Sequence, residues 1–474
     1  MDNLSRVQYQ PCLMMFPVMP QPALALLDLP AFMSWFAGLV WGVPLIVLLF
    51  GTHLFLTVRL GFIQRYIWRG IKLSLKRDAE GEGDVSQFGA LTTALAATIG
   101  TGNIVGVAGA VAAGGPGAVL WMWLTGVFGI ATKYAEAVLA VKYRIRQPDG
   151  TYAGGPMYAL ERGLGQKWLG IVFAVLTCIA AFGIGCMTQA NSIVSNVQTL
   201  FPAEQAQAVA WILGLAMTAL TAITILGGIR SIARVCEILV PFMAVVYVLG
   251  CLLVLIRNAA VLPETLKLIC TSAFTGQAAI GGFVGAGIRE TMRFGIARGL
   301  FSNESGLGSA PIVAAAAQTR NPVRQALVSS TGTFWDTVVI CAMTGLVLVS
   351  SGHWKEGLNK VQLTQAAFGD LHTIGPIFLT IGLLTFVFST ILGWSYYGEK
   401  AAEYLLGQRA VKPYRWLWVL AVLVGSVLPL AVVWDFSDAA NGLMALPNLI
   451  SLLLLSGVIA AETRAHRDEL TGKD

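Results

Sequence analysis

The chain has 474 residues, of which 56% are hydrophobic and only 12% charged. A soluble domain carries about 25% charged residues, so with a mean hydropathy of +0.71 this composition excludes a water-soluble globular protein and describes a polytopic helical membrane protein. The net charge of +6 is spread along loops rather than gathered on one face, which argues against a nucleic-acid surface.

Residues 1–32 read as an N-terminal extension. They contain Met14-Met15-Phe16-Pro17 and several further prolines, but no basic stretch followed by a clean apolar run. They are therefore not a cleaved signal peptide, and poor order is expected. Residues 33–461 read as one transmembrane domain. Apolar stretches long enough to cross a bilayer recur at 33–57, 87–113, 117–142, 169–199, 208–228, 232–256, 276–300, 324–350, 373–401, 414–434 and 441–461. That gives eleven candidate helices, followed by a tail at 462–474. Seven cysteines stand singly without C-x-x-C spacing and read as free thiols, most of them inside apolar spans.

The second span is interrupted by Thr98-Ile99-Gly100-Thr101-Gly102-Asn103. Lipid offers a backbone no hydrogen-bond partners, so an unwound turn at membrane depth survives only where protein or a cavity surrounds it. There its free N–H and C=O groups can hold a solute or an ion. A second glycine-rich run, Gly276 to Gly287 in the seventh span, includes Gly281, Gly282 and Phe283. The alternative for such glycines is simple close packing of helices. Five spans separate one interruption from the other, so the chain divides into an extra helix at 33–57, one repeat at about 87–256 and another at about 276–461. An odd number of helices per repeat gives the two repeats opposite orientations.

Lys and Arg concentrate in loops of one parity: Arg59 to Arg77 after the first span, Lys142 to Lys167 after the third, then Arg230 and Arg234, Arg320 and Arg324, Arg409 to Arg415, and the tail. The positive-inside rule places these in the cytoplasm, with the N-terminus outside.

Several motifs then resemble a known family. Thr98 to Ala108 runs on to Gly114-Gly115-Pro116-Gly117-Ala118. Ala131 to Glu136, Gly154 to Tyr158, Met187 to Ser192, Arg298 to Ala310 and Gly393 to Lys400 follow. Together they resemble the alanine/glycine:cation symporter family across nearly the whole chain after residue 33. The resemblance implies a LeuT-type fold of two inverted five-helix repeats, here with one helix in front. It implies sodium- or proton-coupled uptake of alanine or glycine across a bacterial inner membrane, with no cofactor and no covalent chemistry.

Carried over from the LeuT pattern, the amides of Thr101 and Gly102, with Gly100 and Asn103 beside them, meet the substrate carboxylate. Carbonyls near Thr98 meet its ammonium, and Gly281, Gly282 and Phe283 face them. Gln189 stands mid-span in an apolar helix, and its amide can donate and accept; it is a substrate ligand or a helix–helix hydrogen bond. Trp394 caps the cavity or simply packs. Ser389-Thr390 is an adjacent hydroxyl pair, offering hard oxygens without a buried carboxylate. By the same resemblance the Ala96, Ile99 and Phe386 carbonyls complete a sodium site, whereas the alternative is back-bonding of each hydroxyl within its own helix.

Asp336 is mid-span and either joins Asn103 at a second cation or proton site or is a structural carboxylate satisfied by Thr333 or Thr337. Lys133 and Glu136 are expected to form a local ion pair or gate contact, and Arg298 and Glu304 an inner-gate network. The rival functions are an uncoupled facilitator or channel, which would not concentrate its solute, and an intramembrane enzyme, for which no nucleophile, metal or carboxylate motif is present.

Overall fold

An apolar chain inside a bilayer has to close its backbone hydrogen bonds within each segment, and this one does so almost entirely as helices. The computed structural model describes residues 29–76, 81–198, 201–275, 287–372, 374–428 and 431–472. Among these, eight single helices are long and apolar enough to cross a membrane, or ten spans if each of two bent pairs is one. In chain order the elements that matter here are α1 (Ala31–Arg59), α2 (Gln87–Thr98), α3 (Gly102–Gly114), α4 (Ala118–Lys142), α5 (Lys167–Gln198), α6 (Ala203–Ile225) and α7 (Gly228–Arg257). They continue with α8 (Ile288–Asn303), α9 (Pro322–Ser351), α10 (Ile374–Leu406), α11 (Gln408–Val427), α12 (Asp435–Leu454) and α13 (Ser456–Ala465). The bent pairs are α2–α3, at 52°, and α12–α13, at 57°. Ten expected spans coincide with these elements. The seventh is represented by α8, and most of the glycine-rich run at 276–287 lies outside the described residues.

The two central segments run antiparallel. Near the top of α3, Thr291 Oγ1 donates to the Gly114 carbonyl at 2.8 Å. Midway, a Cβ on Gly102 would lie 3.6 Å from the Cα of Ser302. Beyond α8 the chain passes a short helix, Pro311–Ala314, to the level of residues 82–85. There Asp84 N–H donates to the Ala316 carbonyl at 2.7 Å, and Gln318 N–H to that of Val85 at 2.8 Å.

Between α8 and Pro311 the helix is broken. Glu304 takes a left-handed conformation at φ 56°, and Gly306 and Gly308 follow at φ 91° and 88°, values that glycine adopts without penalty. An interruption therefore falls at 304–310, directly opposite the first; the one expected at Gly281, Gly282 and Phe283 lies outside the described residues.

At the residue-85 end, a two-stranded hairpin, β1 (Ile145–Arg146) and β2 (Tyr152–Ala153), braces both segments. Arg144 donates to the carbonyls of Ala315 at 3.0 Å, Ala317 at 2.9 Å and Glu82 at 2.8 Å. Its neighbour Tyr152 donates its N–H to Asp84 Oδ2 at 2.8 Å.

Two further helices widen in mid-course. Ala181–Met187 in α5 and Phe334–Cys341 in α9 form π-type turns, a feature that costs helix hydrogen bonds and concentrates at functional positions.

Candidate functional site

The break between α2 and α3 starts at Ile99, whose extended backbone (ψ 95°) ends the helix. Asn103 holds the turn that follows. Its Oδ1 accepts the Gly100 N–H at 2.8 Å, and its own N–H reaches the Gly100 carbonyl at 3.2 Å. Its Nδ2 turns away from the break and donates to Asp336 Oδ1 at 2.6 Å.

Thr98, Gly100, Thr101 and Gly102 line a cavity of about 300 Å³ together with Gln189 and Trp394. Six of the residues expected at the substrate are thus brought together; Asn103 supports the loop from behind and does not line the space. Gly281, Gly282 and Phe283 lie outside the described residues. The wall opposite the loop is built by Phe301, Ser302 and Glu304, and Asn441 of α12 closes another side. Asn441 is 1% exposed, and its Oδ1 has no hydrogen-bond partner among the described residues. An orphaned buried acceptor is costly unless something fills it, so this oxygen is available to a ligand.

The widened turn of α5 explains how Gln189 reaches the loop. Widening frees the Ile184 carbonyl, which accepts Gln189 Nε2 at 3.0 Å. That leaves Gln189 Oε1 facing Thr101 Oγ1 at 3.3 Å. Gly185 in the same turn lies so close to Trp394 that a Cβ there would come within 2.3 Å of the Trp394 Cβ. The tryptophan, 1% exposed, stands edge-on to Tyr397 with 5.5 Å between ring centres.

Beside this cavity the Ser389–Thr390 pair of α10 meets the end of α2. Ser389 Oγ lies 2.8 Å from the Phe386 carbonyl and 3.3 Å from that of Ala96. Thr390 Oγ1 lies 2.9 Å from the Phe386 carbonyl and 3.4 Å from that of Ile99. Back-bonding and cross-helix contact therefore occur together. One hydroxyl proton cannot serve two acceptors, so five oxygens converge with two hydrogens among them. Such an oxygen-rich, hydrogen-poor nest has the chemistry of a hard-cation site.

Asp336, fully buried, is satisfied by three side chains. These are Asn103, Thr337 at 2.6 Å and Ser302 at 3.1 Å. Of the two threonines expected to satisfy it, Thr337 does, while Thr333 pairs with Ser305 at 3.0 Å.

The model of the sodium:alanine symporter family matches residues 27–474. The chain belongs to the sodium:alanine symporter family. It is 49% identical over 453 residues to the sodium/alanine symporter AgcS of Methanococcus maripaludis, covering 93% of this chain and 98% of that one. It is 37% identical over 443 residues to the probable sodium/glutamine symporter GlnT of Bacillus subtilis, covering 92% and 90%. Among solved structures it resembles MhsT in complex with L-phenylalanine, with a TM-score of 0.55 at 13% identity, covering 80% of this chain and 98% of that one. The protein is thus a multi-pass membrane transporter for sodium-coupled amino-acid symport, not an enzyme, and its fold is LeuT-like.

Two expected contacts of the symporter are arranged differently. Lys133 and Glu136 do not pair. Glu136 Oε1 instead accepts from Asn448 Nδ2 at 2.7 Å and from the N–H groups of Gly306 at 3.0 Å and Gly308 at 3.1 Å, so it pins the second break. Lys133 Nζ has no hydrogen-bond partner among the described residues and lines a small space below Thr98 with Ala310 and Ser329. Arg298 and Glu304 are also separated. Glu304 accepts from Ser309 Oγ at 2.5 Å within the wall of the cavity at the first break, while Arg298 faces a different cavity beyond Phe301.

Proposed function

We propose that the protein imports alanine or glycine with sodium into the cell, across a bacterial inner membrane, by alternating access. The observation that carries this reading is the adjacency of a small cavity, lined by unwound backbone and Gln189, to the five-oxygen nest of Ala96, Ile99, Phe386, Ser389 and Thr390. The amides of Thr101 and Gly102 receive the substrate carboxylate, supported by Gln189. The Asn441 Oδ1 and the Thr98 carbonyl receive its ammonium. Phe301 and Trp394 bound the space left for the side chain, which suits a hydrogen or a methyl group. Sodium in the nest fixes the end of α2 and with it the start of the substrate loop, so each ligand raises the affinity for the other.

The abundance of Lys and Arg at the residue-85 end makes that end cytoplasmic and puts the N-terminus outside. Asp336 with Asn103 is a support for the loop, and a proton or second cation there is the competing role.

Labelled-alanine uptake into proteoliposomes tests this directly, under an inward sodium gradient, an inward proton gradient, or neither. Accumulation under sodium alone is expected. Accumulation under protons alone would move coupling to Asp336, and mere equilibration would make the protein a facilitator.

A further inference from the structure

We propose that the ends of α1 and α13 form a binding site for one anionic phospholipid, whose phosphate bridges Arg59 and Arg464. The inference takes from the proposed orientation only the leaflet concerned, the cytoplasmic one, and takes nothing from the reading of the substrate cavity.

Arg59 closes α1, and Arg464 lies in the last turn of α13. Both line a cavity of about 530 Å³ with Leu60, Ala460 and Thr463. This is the Arg-rich end of the molecule, the same end as residues 82–85. Just past α13, Glu469 Oε2 meets Arg324 Nη1 at 3.2 Å, and Thr319 N–H donates to the Glu82 carbonyl at 3.2 Å. The cavity floor is fixed. Thr463 Oγ1 donates to the Ile459 carbonyl at 2.8 Å and meets the hydroxyl of Tyr134, a buried residue of α4, at 3.0 Å. Gly457 leaves room for the Arg59 guanidinium, since a Cβ there would lie 3.9 Å from Arg59 Nη2.

Neither guanidinium pairs with a carboxylate among the described residues. Arg59 stands over the Phe55 ring at 5.9 Å, and Arg464 Nε donates to the Ala460 carbonyl of its own helix at 3.3 Å. Glu462, the acid beside Thr463, is engaged by Lys142 of α4. Two like charges facing one cavity repel, and an anion between them relieves the repulsion. The planar fork of each guanidinium suits phosphate oxygens.

The surroundings make that anion a lipid. Phe55 and Leu48 lie one and three turns deeper than Arg59 on the same face of α1, and both are exposed. An apolar track therefore leads from the cavity into the membrane, where acyl chains lie, and a soluble phosphate would leave it unused. Basic pockets between helices at the cytoplasmic surface are suited to anionic headgroups. The bound lipid fastens α1, the helix outside the five-plus-five core, to the last span.

The test uses the full chain, stripped of lipid in detergent and titrated with phosphatidylglycerol, with phosphatidylcholine of the same chain length, or with inorganic phosphate, and followed by native mass spectrometry. One phosphatidylglycerol per protein is expected, with phosphatidylcholine held about tenfold more weakly and phosphate unable to displace the lipid. R59Q and R464Q should each weaken phosphatidylglycerol about tenfold, whereas R409Q, at an exposed arginine of the same end, should leave it unchanged. Both site arginines are exposed, so the lipid-free melting temperature should match that of the unaltered protein, and only the rise on adding phosphatidylglycerol should be lost. Equal retention of the two lipids, or an equal loss in R409Q, overturns the site in favour of diffuse surface charge. Displacement by inorganic phosphate overturns the lipid and leaves an anion site open to water.

Discussion

Asn103 satisfies one orphaned N–H of the broken helix with its oxygen and anchors to Asp336 with its nitrogen. The loop at the first break therefore keeps its shape through a side chain rather than through helix hydrogen bonds. Asp336→Asn would set two amide groups against each other in a fully buried place. Losing a hydrogen bond to a buried charged group costs about 1.5–3 kcal/mol, so a lower melting temperature in detergent and weakened coupling are expected. Ser389→Ala removes one nest oxygen; the sodium concentration for half-maximal uptake should rise about tenfold while alanine binding at saturating sodium persists. Gln189→Ala should instead raise the KM for alanine by a similar factor.

Outside the membrane-spanning segments, His353 sits between Glu356 at 2.7 Å and Asp370 at 3.1 Å. Partial burial alone would lower its pKa, but hydrogen bonds and charge from the two carboxylates prevail and raise it above the usual 6.5. A raised folded value means the imidazolium stabilises this loop below pH 6.5, and that contribution is lost as pH climbs through the folded value. Hydrogen exchange at residues 352–358, corrected for intrinsic rate, should quicken across that range and lose its pH dependence in His353→Gln.

At the level of helices, close approach does the positioning. A Cβ on Gly393 would lie 2.7 Å from the backbone nitrogen of Ala97, so Gly393→Ala has to push α10 off α2 and spread the oxygens of Ala96, Ile99, Ser389 and Thr390. Loss of sodium-stimulated uptake at normal expression is the expected outcome, and unchanged sodium dependence would show that this helix contact is dispensable.

The first break was legible because Gly100, Thr101, Gly102 and Asn103 combine flexible backbone with groups that must be satisfied. The hydroxyl pair was legible because adjacent hydroxyls in an apolar helix stand out. The break at 304–310 was not expected because glycine number was weighed above polarity: the 276–287 run drew attention with five glycines and a single polar residue, Gln277, whereas 303–309 offers Asn303, Glu304, Ser305 and Ser309 beside two glycines. Phe301 and Asn441 were invisible for another reason. One apolar ring or one amide in a helix acquires meaning only when a distant helix is laid against it, and α8 and α12 are more than a hundred residues apart. The widened turn in α5 likewise leaves no mark in composition, although it sets where Gln189 points.

Across the whole molecule, two antiparallel broken segments meet at mid-depth and are tied together at one end by the β1–β2 hairpin. Arg144 spans carbonyls from both segments, so opening that end requires its release. In Arg144→Ala, a cysteine placed at Thr98 on a background without the native thiols should react several-fold faster with an impermeant reagent supplied from the cytoplasmic side. An unchanged rate would show that the hairpin does not hold the end shut.

The five-oxygen nest has one more consequence. None of its ligands can ionise, so nothing there cancels the charge of a bound sodium ion, and a zwitterionic passenger brings no net charge of its own. On the sodium site proposed above, each turnover carries positive charge inward, and voltage becomes a driving force alongside the ion gradient. A potential of 100 mV contributes about 2.3 kcal/mol per ion, roughly a fortyfold gain in accumulation. Alanine added to a proteoliposome layer on an electrode should therefore evoke an inward current that needs sodium and disappears in Ser389→Ala at low sodium.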